Sequence, residues 1–372
     1  MVIQMVDVVG QYKKIKIEIN IAIQRVVESG QYILGPDVHE FEQAAAAYLG
    51  VRHAIGCASG TDALQAAMMA IGIKPGDEII TTPFTFVATT ETIALLGAKP
   101  VYVDIDPQTF NSNPALIEAA ITKKTKAMIP VHLYGQSADM GPIMNIALKH
   151  NLPVIEDAAQ AMGADYKGVK VGGIGLMGAI SFFPSKNLGA FGDAGMVVTN
   201  DDAIAEKLRM IIVHGSKVRY KHEILGVNSR LDSIQAAVLK VKLPYLDQWR
   251  DARRAAARRY NELFKGTGIA TPVESAFGSH IFHQYTIRLK NRDAVAARLA
   301  KEKIPHGIYY PIPLHLQQAF RQSGVGEGAF PVTEHACREV LSLPMHTELT
   351  EEQQSFIVSA VLAAAELKEP AR

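Results

Sequence analysis

Cysteine is nearly absent: 372 residues hold only Cys57 and Cys337, too few for a disulfide framework. Both sit in segments that read as core strand or helix, which predicts buried thiols in a reducing compartment. Neither sign of charge is in excess. With 38 Lys and Arg against 37 Asp and Glu, the net charge of +1 recruits neither nucleic acid nor an anionic membrane surface, so any anion must be bound locally. Long apolar runs are missing too. None approaches the roughly 18 residues of a membrane span, and residues 1–16 are broken by Gln4, Asp7 and Gln11 where a signal peptide needs an apolar core. These absences predict a cytoplasmic protein with no membrane or nucleic-acid partner. Internal repeats and low-complexity linkers are lacking as well. What is present, 48% hydrophobic and 20% charged residues, is the composition of an ordinary globular chain long enough for two or three domains.

From about residue 52 to 200, short apolar runs alternate with segments of helical spacing. Strands are expected at 54–58, 78–82, 99–104, 126–131, 153–156, 179–183 and 195–199, and helices at 62–71, 88–96, 114–120 and 140–150. Such alternation predicts a large α/β domain with a mostly parallel sheet covered on both faces. Residues 233–264 read as one long helix that Pro244 should kink or split. Beyond Gly266 the alternation restarts on a smaller scale, with a strand at 284–289 and helices at 292–301 and 351–367. The expected division is a large domain with an N-terminal arm (1–232), a connecting helix (233–264) and a small C-terminal α+β domain (265–372).

Several motifs carry less than their letters suggest. Gly173-Ile174-Gly175-Leu176-Met177-Gly178 satisfies the dinucleotide pattern G-x-G-x-x-G, with Asp193 following at a suitable distance. That pattern needs a strand before it and a helix after it, whereas residues 179–184 read as a strand ending in proline. His280-x-x-His283 has no accompanying cysteine pair or H-E-x-x-H, so no zinc spacing is present. Arg250, Arg253, Arg254, Arg258 and Arg259 fall at helical intervals among alanines without interleaved aromatics, which predicts a solvated helix face.

Three other segments point to one chemistry. Cys57-Ala58-Ser59-Gly60-Thr61-Asp62 ends a strand at small residues and opens a helix, so free N–H groups and hydroxyls converge where a phosphate would fit, although Ser59 or Thr61 could equally be a plain helix cap. In Val154-Ile155-Glu156-Asp157 two carboxylates end an apolar strand, where open α/β sheets bind ligands, and alternation sends one into the cleft and the other away. Lys186 follows a strand bearing Phe182 and Phe183 and precedes Gly189-Ala190-Phe191-Gly192; apolar surroundings favour the neutral, nucleophilic amine. An anion site, a strand-end acid and a desolvated lysine are together what pyridoxal 5'-phosphate requires.

With these segments in place the sequence resembles the sugar-nucleotide aminotransferases of the DegT/StrS family. The likeness extends from Gly30-Gln31-Tyr32-Ile33-Leu34-Gly35-Pro36 through Gly226-Val227-Asn228-Ser229-Arg230-Leu231-Asp232 to Tyr310-Pro311-Ile312-Pro313 and Leu343-Pro344-Met345-His346. It implies the aspartate-aminotransferase-like fold, fold type I, and pyridoxal 5'-phosphate as cofactor. It further implies that Lys186 forms the Schiff base and shuttles the proton, Asp157 faces the pyridinium nitrogen, Gln160 approaches the ring hydroxyl and Phe86 stacks on the ring. Gly60, Thr61 and Ser181 would hold the phosphate, with Asn228 reaching in from the second subunit of a homodimer. L-Glutamate and a sugar nucleotide would react alternately.

Within the family, Asn228-Ser229-Arg230-Leu231-Asp232 resembles enzymes acting at carbon 3 of the sugar. Phe183-Pro184-Ser185-Lys186 resembles those acting on UDP-2-acetamido-2-deoxy-3-oxo-glucuronate, in the making of lipopolysaccharide and other cell-surface polysaccharide precursors. Tyr309-Tyr310-Pro311, expected to touch substrate, departs from the His-Tyr-Pro of those uronate enzymes. Arg230 would hold the carboxylate of glutamate and then of the uronate, or else pair with Asp232 and only shape its loop. The rivals are a 3-aminotransferase of a dTDP-3-oxo-6-deoxyhexose and a regulator that binds the cofactor without turnover. A family dehydratase would carry histidine in place of Lys186.

Overall fold

The computed structural model describes residues 2–366. Its main sheet runs in the order Lys99–Tyr102, Glu78–Thr81, Thr125–Met128, Ile155–Asp157, Met177–Ser181, Gly195–Thr199, His53–Cys57, joined across its middle by parallel bridges Met128 to Val154 and Val131 to Asp157. Only Gly195–Thr199 runs against its neighbours in this sheet. Parallel neighbours cannot be joined by hairpins, and the helices Gly60–Ala70, Ala88–Leu95 and Met140–His150 supply crossovers.

Because side chains alternate along a strand, adjacent residues feed two separate cores. Ile79, Ile155, Ala179 and Val197 pack under the helices Gly60–Ala70 and Asp202–Ile211. Their neighbours Ile80, Val154, Ile180 and Val198 pack on the other face with Phe41 of the helix Pro36–Leu49. The expected strands are all found, with ends shifted by a few residues. Cys57 and Cys337 are buried free thiols.

Pro244 splits the expected long helix. Lacking an N–H and crowding the preceding turn, it leaves Ser233–Lys242 and Leu246–Phe264 joined by a tight turn at Leu243–Tyr245. Another core gathers Tyr260, Phe264, Tyr285, Ile287, Leu341, Leu343 and Ile357 around the antiparallel pair Tyr285–Arg288 and Val340–Leu343. The closing helix spans Glu351–Ala364, started by a Thr350–Gln353 capping box, and Leu367, expected at its end, lies outside the described residues. From these cores we propose the division 1–232, 233–264 and 265–372, of which Met1 and 367–372 lie outside the described residues.

The arginine cluster corrects an expectation. Arg253 is 4% exposed, and its Nη1 donates to the carbonyls of Phe282 at 3.1 Å, Met345 at 3.0 Å and His283 at 3.4 Å. Burial pushes its guanidinium down to about 10. Arg254 donates to the His280 carbonyl and pairs with Glu274. Helical spacing could not reveal this, because the carbonyl socket is built by chain that follows the helix. Among the described residues no helix is long and apolar enough to cross a membrane.

Candidate active site

A cleft of about 500 Å³ opens at the carboxyl ends of the parallel strands. Ser59 accepts the Asp62 N–H at 3.1 Å, so it is the cap of its helix. Gly60 and Thr61 follow it into the cleft wall beside Ser181. A Cβ at Gly60 would meet the Ser181 Cβ at 2.7 Å, so only glycine lets the helix start sit this close to the strand end. The free N–H groups of the first turn, with the hydroxyls of Thr61 and Ser181, make an anion cradle.

The two strand-end carboxylates part as expected. Glu156 is fully buried and accepts the N–H groups of Gly172 at 2.8 Å and of Ile174 and Gly175 at 2.7 Å, and His132 Nε2 at 2.9 Å. The glycine run with the dinucleotide spelling therefore wraps an internal carboxylate. His132 Nδ1 accepts the Ala138 N–H, so Nε2 carries the proton it gives to Glu156. Asp157 lines the cleft; it accepts the Thr89 hydroxyl at 2.7 Å and the Ala159 N–H at 3.2 Å. Burial pushes its carboxyl up, opposed by these two donors and by the charge of Lys186.

Lys186 stands on the loop after Met177–Ser181, at the foot of the cleft. Its N–H bonds the Phe183 carbonyl at 2.8 Å, and Ala190 N–H bonds the Phe182 carbonyl at 2.8 Å, closing the loop on itself. A Cβ at Gly189 would fall 2.3 Å from the Pro184 carbonyl oxygen, which fixes glycine there. Burial pushes the Lys186 amine down to about 8, against the pull of the Asp157 carboxylate. Neutral amine therefore becomes available from about pH 7 upward, well below the range of a solvated lysine.

Gln160 is held at both ends of its amide, accepting the Tyr134 N–H at 2.8 Å and donating to the Tyr310 hydroxyl at 3.1 Å. Phe86 lies 53% exposed over the opening with its ring 6.3 Å from that of Tyr310, and Tyr309 completes that wall. Of the expected site residues, Gly60, Thr61, Phe86, Asp157, Gln160, Ser181, Lys186, Tyr309 and Tyr310 converge on one cleft. Asn228 and Arg230 lie outside it: Asn228 is exposed, and Arg230 is half-buried with no ion pair or side-chain hydrogen bond among the described residues, so the pairing with Asp232 is not made. Sequence reading missed Thr89, whose spacing of four from Thr85 was its only signal, and His283, which was considered only as a metal ligand.

Residues 13–362 match the model of the DegT/DnrJ/EryC1/StrS aminotransferase family. The chain belongs to this family. Over 96% of its length the aminotransferase is 53% identical to the pleiotropic regulatory protein of Geobacillus stearothermophilus, covering 97% of that protein. It is 48% identical to the UDP-2-acetamido-2-deoxy-3-oxo-D-glucuronate aminotransferase of Pseudomonas aeruginosa, covering 96% of this chain and 99% of that one. The crystal structure of Streptomyces venezuelae DesV with a ketimine intermediate superposes with a TM-score of 0.95 at 42% identity, covering 98% of both chains. Other relatives at 42–44% identity include dTDP-3-amino-sugar transaminases.

The cofactor of the family is pyridoxal 5'-phosphate, which when bound supplies an aldehyde that condenses with amines and a ring that accepts electrons. The cleft fits it in volume and chemistry. An anion cradle stands at Gly60, Thr61 and Ser181, a desolvated amine at Lys186, and a buried carboxylate steadied by Thr89 at Asp157.

Proposed function

We propose that this sugar aminotransferase moves the amino group of L-glutamate to carbon 3 of a UDP-linked 2-acetamido-3-oxo-uronate, a precursor of cell-surface polysaccharide such as lipopolysaccharide. In this reading Lys186 is the catalytic amine and proton carrier, Asp157 holds a proton on the ring nitrogen, and Gln160 positions the ring hydroxyl. Gly60, Thr61 and Ser181 bind the phosphate, Phe86 covers the ring, and Tyr309 and Tyr310 face the sugar. The Pseudomonas relative supports the substrate class.

The observation that carries the reading is the charge of the cleft. Among its described lining residues Lys186 is the only lysine or arginine, yet glutamate, the nucleotide and a uronate are all anions. A second cation must come from outside. Arg230 has no ion pair or side-chain hydrogen bond among the described residues and is two residues from exposed Asn228, whose backbone bridges Val213. Nearby Leu225 and Tyr220 are 90% and 79% exposed. A second copy seated here would cover these exposed side chains and bring Asn228 to the phosphate and Arg230 to the substrate carboxylate, making a homodimer with shared sites.

The test is turnover on a panel of 3-oxo and 4-oxo sugar nucleotides with glutamate. Arg230→Ala should lose far more on the 3-oxo uronate than on its neutral 6-hydroxy analogue, by about 2–5 kcal/mol in transition-state terms. Equal losses on both would favour the rival reading, a dTDP-3-oxo-6-deoxyhexose transaminase, which the dTDP-sugar relatives support. The Geobacillus relative's name keeps a regulatory reading in view, and a cofactor band that shifts on adding glutamate would count against it.

A further inference from the structure

Inside the cleft, one nitrogen has its proton state fixed by a chain of hydrogen bonds that the reaction described so far does not use. Asn187, the residue after Lys186, donates from Nδ2 to the Ile281 carbonyl at 3.2 Å. Its Oδ1 must therefore be the atom facing His283 Nδ1, also at 3.2 Å. A carbonyl oxygen only accepts, so Nδ1 carries the hydrogen. The imidazole is neutral, because burial and the charges of Lys186 and Arg253 disfavour a proton on it. Nε2 is thus a bare lone pair.

That lone pair is open. His283 lines the cleft together with Lys186, its Nε2 makes no hydrogen bond among the described residues, and it is not among the buried atoms without a partner. The ring is tied at Nδ1 and its backbone is held. Asn187 ties one edge, and Arg253 grips the carbonyls of Phe282, His283 and Met345 from behind. Other titratable groups bordering the same cleft are Asp157, Asp193, Tyr309 and Tyr310.

We propose that His283 is a positioning residue for Lys186: in the loaded enzyme, once glutamate has released Lys186 from the cofactor, its bare Nε2 accepts an N–H of the lysine amine. In the present geometry the two do not bond. The four-carbon stem of Lys186 allows the amine to turn to an acceptor lining the same cleft. An acceptor that stays neutral can receive the ammonium without repelling it and release it without competing for the proton. Held so, the amine that carries the proton keeps one orientation through the half-reaction in which it is free.

This inference rests on the assignment of Lys186 above, and the experiment separates the two. Borohydride reduction of the loaded enzyme, followed by peptide mass spectrometry, locates the lysine that bonds the cofactor; a lysine other than Lys186 would overturn the assignment and the inference with it. With Lys186 confirmed, the enzyme is converted by excess glutamate to the form in which Lys186 is free. Acetylation of Lys186 is then followed against pH, with exposed Lys13 as internal reference. In His283→Phe the ammonium loses its acceptor, so the midpoint for Lys186 should fall by about one pH unit. kcat should fall about tenfold, with KM for glutamate within about twofold. His283→Gln, which keeps an acceptor oxygen, should hold both values within about threefold. Asn187→Ala, which frees the ring tautomer, should move the midpoint in the same direction by less. Folding is checked by circular dichroism and by retention of the cofactor band. An unchanged midpoint in folded His283→Phe and Asn187→Ala overturns the proposal, as does an unchanged midpoint with a raised KM for the sugar nucleotide, which would make Nε2 a substrate contact.

Discussion

At the scale of single residues the site depends on two groups whose surroundings push them away from their usual ionisation. Lys186 is a surface residue type placed where burial disfavours its charge, down to about 8 against roughly 10.4 for a free lysine. The sign is direct: the neutral amine is the reactive form and accumulates as pH rises through the folded value. In cofactor-free enzyme, the rate at which added pyridoxal phosphate bonds Lys186 should rise to about pH 8 and level off, where a solvated lysine would keep rising for about two further pH units. Stopped-flow absorbance measures this. Lys186→Ala should abolish turnover with the circular dichroism spectrum unchanged, because it removes the amine without removing core volume. Asp157 is the complementary case. Burial raises its carboxyl while Thr89, the Ala159 N–H and Lys186 restrain it. Asp157→Asn deletes the charge and keeps the shape, so steady-state rates should fall by about a hundredfold or more while the cofactor band is retained.

At the scale of elements, the sheet delivers the chemistry because parallel strands release their loops at one edge. The Lys186 loop turns within a few residues after Met177–Ser181, and the helix Gly60–Ala70 starts against that same strand end. Strand-end alternation sends Asp157 to the cleft and Glu156 to the glycine run behind it. The helix Leu246–Phe264 works from the other side, through Arg253 and its three carbonyls. Arg253→Met leaves those carbonyls buried and unpaired, a loss of about 2–4 kcal/mol read from the urea midpoint. Because the same carbonyls shape the segment bearing His283, the variant should also bind cofactor more weakly in an absorbance titration.

At the scale of the whole molecule, one chain gathers the residues proposed to hold the cofactor but leaves Asn228 and Arg230 outside its own cleft. If a neighbour's cleft receives them, mixing inactive Lys186→Ala with a severely impaired Asn228→Ala should restore part of the activity through hybrid dimers carrying one intact site. Turnover assays after demonstrated subunit exchange check this, and no recovery would mean that each chain completes its own site.

What the sequence by itself determined was local. Strands and crossover helices were legible because hydrophobic period and turn residues are short-range signals. Lys186, Asp157 and the Gly60 turn were legible because each joins a residue type to the end of an element. The split at Pro244 followed from the missing N–H of one residue. Only the tertiary structure decided which polar groups found partners. Arg253 looked like its solvated neighbours until the chain after it supplied carbonyls, and the Gly173–Gly178 spelling became a carboxylate cradle because Glu156 lies beside it. His283 owes its bare nitrogen to an asparagine 96 positions away. Hydrogen-bond satisfaction belongs to pairs of groups brought together by packing, and no periodicity in a single stretch of chain records its partner.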